Sequence, residues 1–337
     1  MQKLILKIKC LNQIIEEYRN PYPKKRLLVA LRIVFLLLMK NWIKAFRLRT
    51  LPLSFSTIIT GSGCALLSGH WNTSIFILAL TTTLFLQILS NLANDYGDFV
   101  KGTDNAQRVG PERALQSGSI SQQQMFRAIL LFIVFSLISG LSLIYIATQT
   151  YGWKMALFFL ILGIASIAAA LFYTIGKRAY GYSGLGDLFV FLFFGWVGVA
   201  GSHFLMTAEL QFDIFLPASG IGLLSVAVLN MNNMRDHVND KASGKNTLVV
   251  KMGFDAAKWY HIQLMVLAPS LFIIWTSLRF ESWFQFLFLM VSPLFIKNIF
   301  TVFSCKEPKQ LDPELKRIAI GTFLLSLLFL TGQLLSL

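Results

Sequence analysis

Two short acidic stretches hold the residues best suited to chemistry. In Asn91-Leu-Ala-Asn94-Asp95-Tyr-Gly-Asp98, two carboxylates stand three residues apart, a spacing that sets both on one face of a helix. Asn91 and Asn94 share that face a turn earlier, and Asp104 follows after Lys101-Gly102-Thr103. The second stretch, Asn230-Met-Asn232-Asn233-Met-Arg235-Asp236-His-Val-Asn-Asp240, places two carboxylates four apart, with Asn232 and Asn233 a turn before. Carboxylates this close repel one another and resist ionising unless a cation lies between them. Oxygen ligands without His or Cys suit Mg²⁺, which is commonly shared between one or two carboxylates and substrate phosphates. A magnesium–diphosphate site is therefore expected, with Asp95, Asp98, Asp104, Asp236 and Asp240 as the candidate metal ligands.

Bases flank both stretches. Lys101, Arg108 and Arg113 follow the first, and Arg235, Lys241 and Lys245 accompany the second. Arginine grips diphosphate oxygens bidentately, so Lys101 and Arg113 are the expected diphosphate contacts, with Arg108 and Lys245 beside them. Arg235 is placed either for the same task or to pair with Asp236 or Asp240. An Asp or Asn at a helix end is ordinarily a cap or a solvated loop residue. Two such motifs at equivalent helix ends, each beside bases, weigh against that reading for the pair.

A third segment, Tyr173-Thr-Ile-Gly-Lys-Arg-Ala-Tyr180-Gly-Tyr182-Ser-Gly-Leu-Gly-Asp187, offers aromatic rings and flexible glycines. Tyr173 and Tyr182 are candidates for stacking on an aromatic acceptor or a carbocation, against the plainer alternative of an interfacial aromatic belt. Asp187 is either a helix cap or a group that handles an acceptor hydroxyl.

The elements that must position these residues are membrane helices. The 337 residues are 55% hydrophobic and 14% charged, with a mean hydropathy of +0.63. Nine apolar runs are long enough to cross a bilayer: about 51–69, 71–93, 125–147, 153–175, 187–207, 213–233, 259–278, 282–303 and 318–336. They do not alternate polar and apolar residues as barrel strands would. The net charge of +14 sits in short segments between the runs, as the positive-inside bias requires, and not in a nucleic-acid-binding patch. With the N-terminus inside, all Lys and Arg residues but Lys154 and Arg279 fall on or near the cytoplasmic face. Leu27–Met39, ringed by Lys24, Lys25, Arg26 and Lys40, reads as an amphipathic segment within a basic extension over 1–41. Cys10, Cys64 and Cys305 have neither disulfide nor metal spacing. The second and sixth runs end in the two acidic motifs and leave the membrane in the same direction. This is a weak parallel repeat of two four-helix sets plus one, and such symmetry places a binding site where the halves meet.

These residues resemble the UbiA superfamily of intramembrane prenyltransferases. The resemblance rests on Leu86–Asp98, Lys101–Asp104, Arg108–Gly118, Gly181–Asp187 and Leu229–Asp236 through Asp240 to Gly244–Val250, and it covers about 42–335. It implies an all-α membrane domain over 42–337, with nine helices around a central cavity and two Asp-rich motifs at its cytoplasmic mouth. The general pattern has a third Asp where Gly102 stands, but the branch that prenylates 1,4-dihydroxy-2-naphthoate has it at Asp104, as here. Leu48 departs from the usual proline. The implied reaction is Mg²⁺-dependent transfer of a polyprenyl chain from polyprenyl diphosphate to 1,4-dihydroxy-2-naphthoate, releasing diphosphate and CO₂ and giving a demethylmenaquinol. The alternative acceptors are 4-hydroxybenzoate and homogentisate. Membrane lipid is the other implied partner, with no nucleic acid and no obligate protein, and the implied location is a bacterial inner membrane with cytoplasmic active-site loops. A cation-coupled transporter would hold its carboxylates near the midplane, and a CDP-alcohol phosphotransferase needs an Asp-Gly-x-x-Ala-Arg signature that this chain lacks.

Overall fold

The computed structural model describes residues 39–337, apart from 106, 150 and 151. The amphipathic segment expected over Leu27–Met39 lies outside the described residues but for its last one. The described chain is helical, without strands. Its nine spanning helices are α1 (Met39–Leu67), α2 (Thr73–Val100), α3 (Gln122–Thr148), α4 (Trp153–Phe172), α5 (Gly186–Thr207), α6 (Phe212–Ala242), α7 (Phe254–Leu278), α8 (Trp283–Ser304) and α9 (Pro308–Leu334). Backbone polar groups cannot be left unpaired in hydrocarbon, and helices satisfy them within the segment.

Two helices outrun the apolar runs that reveal them. α2 continues past residue 93 to Val100, and α6 past 233 to Ala242. The acidic motifs therefore sit on helix rather than in the loops beyond it. In those last turns α2 buries Asn91, Asp95 and Asp98, and α6 buries Asn233, Arg235, Asp236, Asn239 and Asp240. Tertiary pairing of these polar side chains sustains helix where hydropathy alone would stop it. The two ends meet, and Asn239 Nδ2 donates to the Thr103 carbonyl at 2.9 Å.

Small residues let the central helices approach closely. α1 buries Ser54, Ser56, Thr57, Thr60, Ser62 and Cys64, and Ser54, Ser56 and Thr57 turn their hydroxyls back to carbonyls three or four residues earlier. A side chain at Gly195 of α5 would meet the Ala218 carbonyl of α6 at 2.7 Å, and one at Gly198 would meet Thr57 of α1 at 2.7 Å. Between these contacts α5 widens into π-helix over Phe191–Ala200, a form often found at functional sites. α1 breaks at Arg47, whose φ of 50° and ψ of 53° are left-handed. A short 3₁₀ turn, Leu48–Thr50, follows where the family's proline is missing. The helical turn over 39–46 runs through the boundary expected at 41/42.

Candidate active site

α1, α2, α4, α5, α6 and α9, with the C-terminal part of α3, enclose a cavity of about 430 Å³. One end is polar, lined by Asn91, Asn94, Asp98, Arg108, Arg113, Asp236, Asp240 and Lys245. The rest is apolar, with Leu53, Ile58, Phe159, Leu162, Phe193 and Leu205 among its walls. Both Asp98 and Ala79 of α2 face it, so at 1.5 Å per residue it runs about 28 Å along that helix, close to the thickness of a bilayer's hydrocarbon core.

Each carboxylate of the two motifs has at least one base within 4.0 Å. Asp95 pairs with Arg47 of α1 and accepts from Arg113 Nη1 at 2.5 Å. Asp98 accepts from the Tyr182 hydroxyl at 2.8 Å and lies 3.6 Å from Lys245 Nζ and 3.9 Å from Arg113 Nη2. Asp104 lies 3.2 Å from Arg108 Nε and 3.7 Å from Arg113 Nε. Asp236 accepts from Arg235 at 2.6 and 3.0 Å and stands 3.6 Å from Arg108 Nη2. Asp240 is 4.0 Å from Lys245 Nζ. Lys245 thus bridges Asp98 of the first motif and Asp240 of the second, and Arg108 bridges Asp104 and Asp236. The two distant stretches form one charged cluster.

The loop from 101 to 121 delivers Arg108 and Arg113. It is braced by Gln116, which accepts from the Arg113 backbone N–H at 3.1 Å and donates to the Asn105 carbonyl at 2.7 Å. A Cβ at Gly110 would sit 2.6 Å from Arg235 Nη2 and 2.8 Å from Arg108 Nη2, so a side chain there would have to displace both guanidinium groups. Burial, and next the nearby Asp98, push the Asp104 carboxyl up to about 7, with Arg108 opposing. For Lys245, burial would lower the ammonium's pKa, but Asp98 and Asp240 outweigh it and raise it. Burial, reinforced by Asp98, raises the Tyr182 phenol, which stays a neutral donor to that carboxylate.

Other expected site residues take different places. Asn91 ties α2 to α1, donating to the Phe46 carbonyl at 2.9 Å and to Thr50 Oγ1 at 3.0 Å. Asn94 lines the cavity with its Oδ1 buried and without a hydrogen-bond partner. Asn232 faces the cavity and accepts from Arg235 at 2.9 Å, whereas Asn233 is buried outside its wall. Tyr173 lines the cavity, its phenol raised well above the ordinary value by burial and then by Asp187. Lys101 departs from expectation: it lines a separate shallow depression, its ammonium 3.9 Å from the centre of the Tyr182 ring and its pKa lowered by burial. Lys245 occupies the position facing the carboxylates that spacing suggested for Lys101. Asp187 is buried in the first turn of α5, makes no capping hydrogen bond and does not line the cavity. Its place is a helix N-terminus, where the macrodipole favours negative charge.

Sequence reasoning passed over Arg47, Asp312, Arg49 and Lys316. Asp312 accepts from the fully buried Arg235 at 2.6 Å, fastening α9 to α6. The one sequence signal for Arg47 is that it lies within the 42–335 region of resemblance, next to the departure at Leu48.

Among the described residues no three acidic, His or Cys side chains form a compact metal cage. The donors nevertheless fit a hard cation. They are all oxygens, both Asp104 oxygens and Asn94 Oδ1 are buried without hydrogen-bond partners, and Mg²⁺ keeps waters and phosphate oxygens in its shell rather than requiring an all-protein cage.

Residues 54–329 match the UbiA prenyltransferase family. The chain is 44% identical over 295 residues to the 1,4-dihydroxy-2-naphthoate octaprenyltransferase of Escherichia coli, covering 88% of this chain and 95% of that one. It is 40% identical over 302 residues to the enzyme of the same name from Haemophilus influenzae, covering 88% and 96%. The fold is similar to a UbiA homologue from Archaeoglobus fulgidus solved bound to GPP and Mg²⁺, with a TM-score of 0.57, 17% identity, and 88% and 99% of the two chains covered. This chain belongs to the UbiA prenyltransferase family.

Proposed function

We propose that the chain is an integral-membrane, Mg²⁺-dependent transferase that moves a polyprenyl group from its diphosphate to 1,4-dihydroxy-2-naphthoate, the step that yields a demethylmenaquinol. The carrying observation is the convergence of two acidic helix ends, cross-linked through Lys245 and Arg108, on the polar end of an apolar cavity of membrane depth. The relatives named above supply the acceptor.

Asp95, Asp98 and Asp104 on one side, and Asp236 and Asp240 on the other, would hold the metal, with Asn94 as a further oxygen donor. Bound there, Mg²⁺ supplies Lewis-acid neutralisation of the leaving diphosphate. Arg113, Arg108 and Lys245 sit where they take its oxygens by charge-assisted hydrogen bonds. As the allylic C–O bond breaks, the electron pair leaves with the diphosphate. The naphthoate ring then forms the new C–C bond, and the carboxyl departs as CO₂. Apolar walls exclude water, which would otherwise capture the allylic cation, and the greasy tail gains about 0.8 kcal/mol for each CH₂ it buries.

The charged end lies on the face where most bases gather, which supports a cytoplasmic mouth in a bacterial inner membrane. We place the catalytic unit at 42–337 and treat 1–41 as an extension.

The test uses membranes containing the chain, Mg²⁺ and one polyprenyl diphosphate, offered 1,4-dihydroxy-2-naphthoate, 4-hydroxybenzoate or homogentisate. Prenylated naphthoquinol with CO₂ release, abolished by EDTA, is expected. Turnover of another acceptor in preference to the naphthoate would overturn the assignment.

A further inference from the structure

Six basic side chains line the central cavity: Arg47, Arg49, Arg108, Arg113, Lys245 and Lys316. Four of them are engaged by carboxylates of the acidic cluster. Among the described residues, Arg49 and Lys316 have no carboxylate within ion-pair distance. Arg49 lies on α1 just before the cavity-lining Thr50, Leu53 and Ser54. Lys316 lies on α9 between the cavity-lining Leu315 and Ala319. The acid nearest Lys316 along that wall, Asp312, already accepts from Arg235 at 2.6 Å. The α1–α9 wall therefore presents two cations that no carboxylate pairs directly, with Asp312 attracting Arg49 only from beyond ion-pair distance while it accepts from Arg235. Among the described residues off the cavity some bases are paired, as Arg279 is with Asp213 and Arg317 with Glu314, and others such as Arg127 and Lys297 are not, so it is their place on the cavity wall that distinguishes Arg49 and Lys316.

A second anion, besides the diphosphate that the acidic cluster and its bases already accommodate, satisfies this wall. We infer that Arg49 and Lys316 bind the carboxylate of an aromatic ortho-hydroxy acid, the acceptor, and that they set the enzyme's preference for a carboxylated ring. This rests on the proposed function. Arginine holds a carboxylate bidentately and lysine adds a point charge. Leu53, Leu315 and Ala319 beside them offer an apolar surface for the ring. A site built for a charged group also rejects an analogue lacking it, because its own charges are then left without a partner. Both side chains are exposed, and that suits the chemistry. A dry, tight ion pair would stabilise the carboxylate in the ground state and oppose its departure as CO₂, whereas a wet one binds and orients without that penalty.

The test uses the full chain reconstituted in phosphatidylcholine vesicles with Mg²⁺ and farnesyl diphosphate, comparing wild type with Arg49→Gln, Lys316→Gln, the double variant and Arg49→Lys. The KM for 1,4-dihydroxy-2-naphthoate should rise about tenfold or more in each Gln variant, the loss expected for a hydrogen bond to a charged group, and further in the double variant. The KM for farnesyl diphosphate should hold within about twofold, since an interaction confined to one substrate moves that substrate's KM. Arg49→Lys should recover part of the loss. Inhibition by 1-hydroxy-2-naphthoate should weaken in parallel, while inhibition by 1-naphthol should not.

A rise in the donor KM matching that of the acceptor would assign the two bases to the diphosphate and overturn the inference. Equal weakening of both inhibitors would show lost packing instead, and would overturn it as well. An effect seen only when anionic lipid is added would reassign them to lipid headgroups, again overturning it. A wild-type chain inactive toward the naphthoate would overturn the functional reading along with this inference, whereas an active wild type with unmoved acceptor KM in the variants overturns this inference alone.

Discussion

The last turns of α2 and α6 carry the same chemistry on equivalent helices, yet they are stabilised differently. The acids of α2 depend on bases from other parts of the chain: Arg47 from α1, Arg113 from the loop after α2, and Lys245 from beyond α6. On α6, Asp236 is neutralised first by its own neighbour Arg235, which is pinned in turn by Asp312 of α9. One half of the site is therefore assembled by tertiary folding, and the other is largely prebuilt on its helix. Breaking a buried ion pair from one side leaves a charge uncompensated in low dielectric, so the two halves should respond unequally to mutation.

The largest expected effect is on turnover. Asp98→Ala and Asp236→Ala should each lower kcat by roughly a thousandfold or more, since several kcal/mol of leaving-group stabilisation depend on the metal, while the protein still extracts as a folded species. Near-normal turnover of either variant at saturating Mg²⁺ would break the equivalence of the two halves.

Next in size is a difference in stability. Arg235→Ala leaves Asp312 unpaired and Asp236 with only the more distant Arg108, and should cost roughly 3–5 kcal/mol. Arg47→Ala leaves Asp95 still bound to Arg113 and should cost only about 1.5–3 kcal/mol. Thermal unfolding in detergent reads both, and the reverse ranking would refute the contrast.

A third effect depends on pH. Burial raises Asp104 from 3.8 to about 7, so the metal-free fold favours its protonated form, and its share of stability fades as pH climbs through that window. The same proton must leave before a cation binds. The half-saturating Mg²⁺ concentration should therefore fall as pH rises toward about 7 and level off above it, and Asp104→Asn should flatten that dependence. An unchanged pH profile in Asp104→Asn would remove Asp104 from the metal site.

The smallest effect is expected from Tyr182→Phe, which deletes the donor to Asp98 and should lower kcat/KM by about tenfold with the KM for the acceptor little changed.

What the sequence made legible follows from how local each signal is. Hydropathy exposed the nine spans because each is a continuous run, and the paired carboxylates were visible because i,i+3 and i,i+4 spacing is a local property. The ends of α2 and α6 were not, because Asn94–Val100 is held by Arg47, Arg113 and Lys245 from other parts of the chain, and Met234–Ala242 by the Arg235–Asp312 pair and the Asn239–Thr103 bond, contacts that hydropathy does not reveal. Lys101 looked right by proximity, but the chain turns at Gly102, at a φ of +74°, and leaves Lys101 against Tyr182 while Lys245 reaches Asp98 from across the repeat. Arg47 escaped notice because its role depends on a left-handed residue that ends one helical turn and begins the next.

The central claim is that both acidic helix ends act on a single phosphorylated ligand. A structure of the chain with Mn²⁺ and farnesyl thiolodiphosphate, its metal located by anomalous scattering, tests this most directly. Manganese is expected between the Asp95–Asp98 and Asp236–Asp240 carboxylates, with one diphosphate bridging the two sides and its tail in the apolar cavity. Metal on one helix end alone, with the diphosphate out of reach of the other, would contradict the claim.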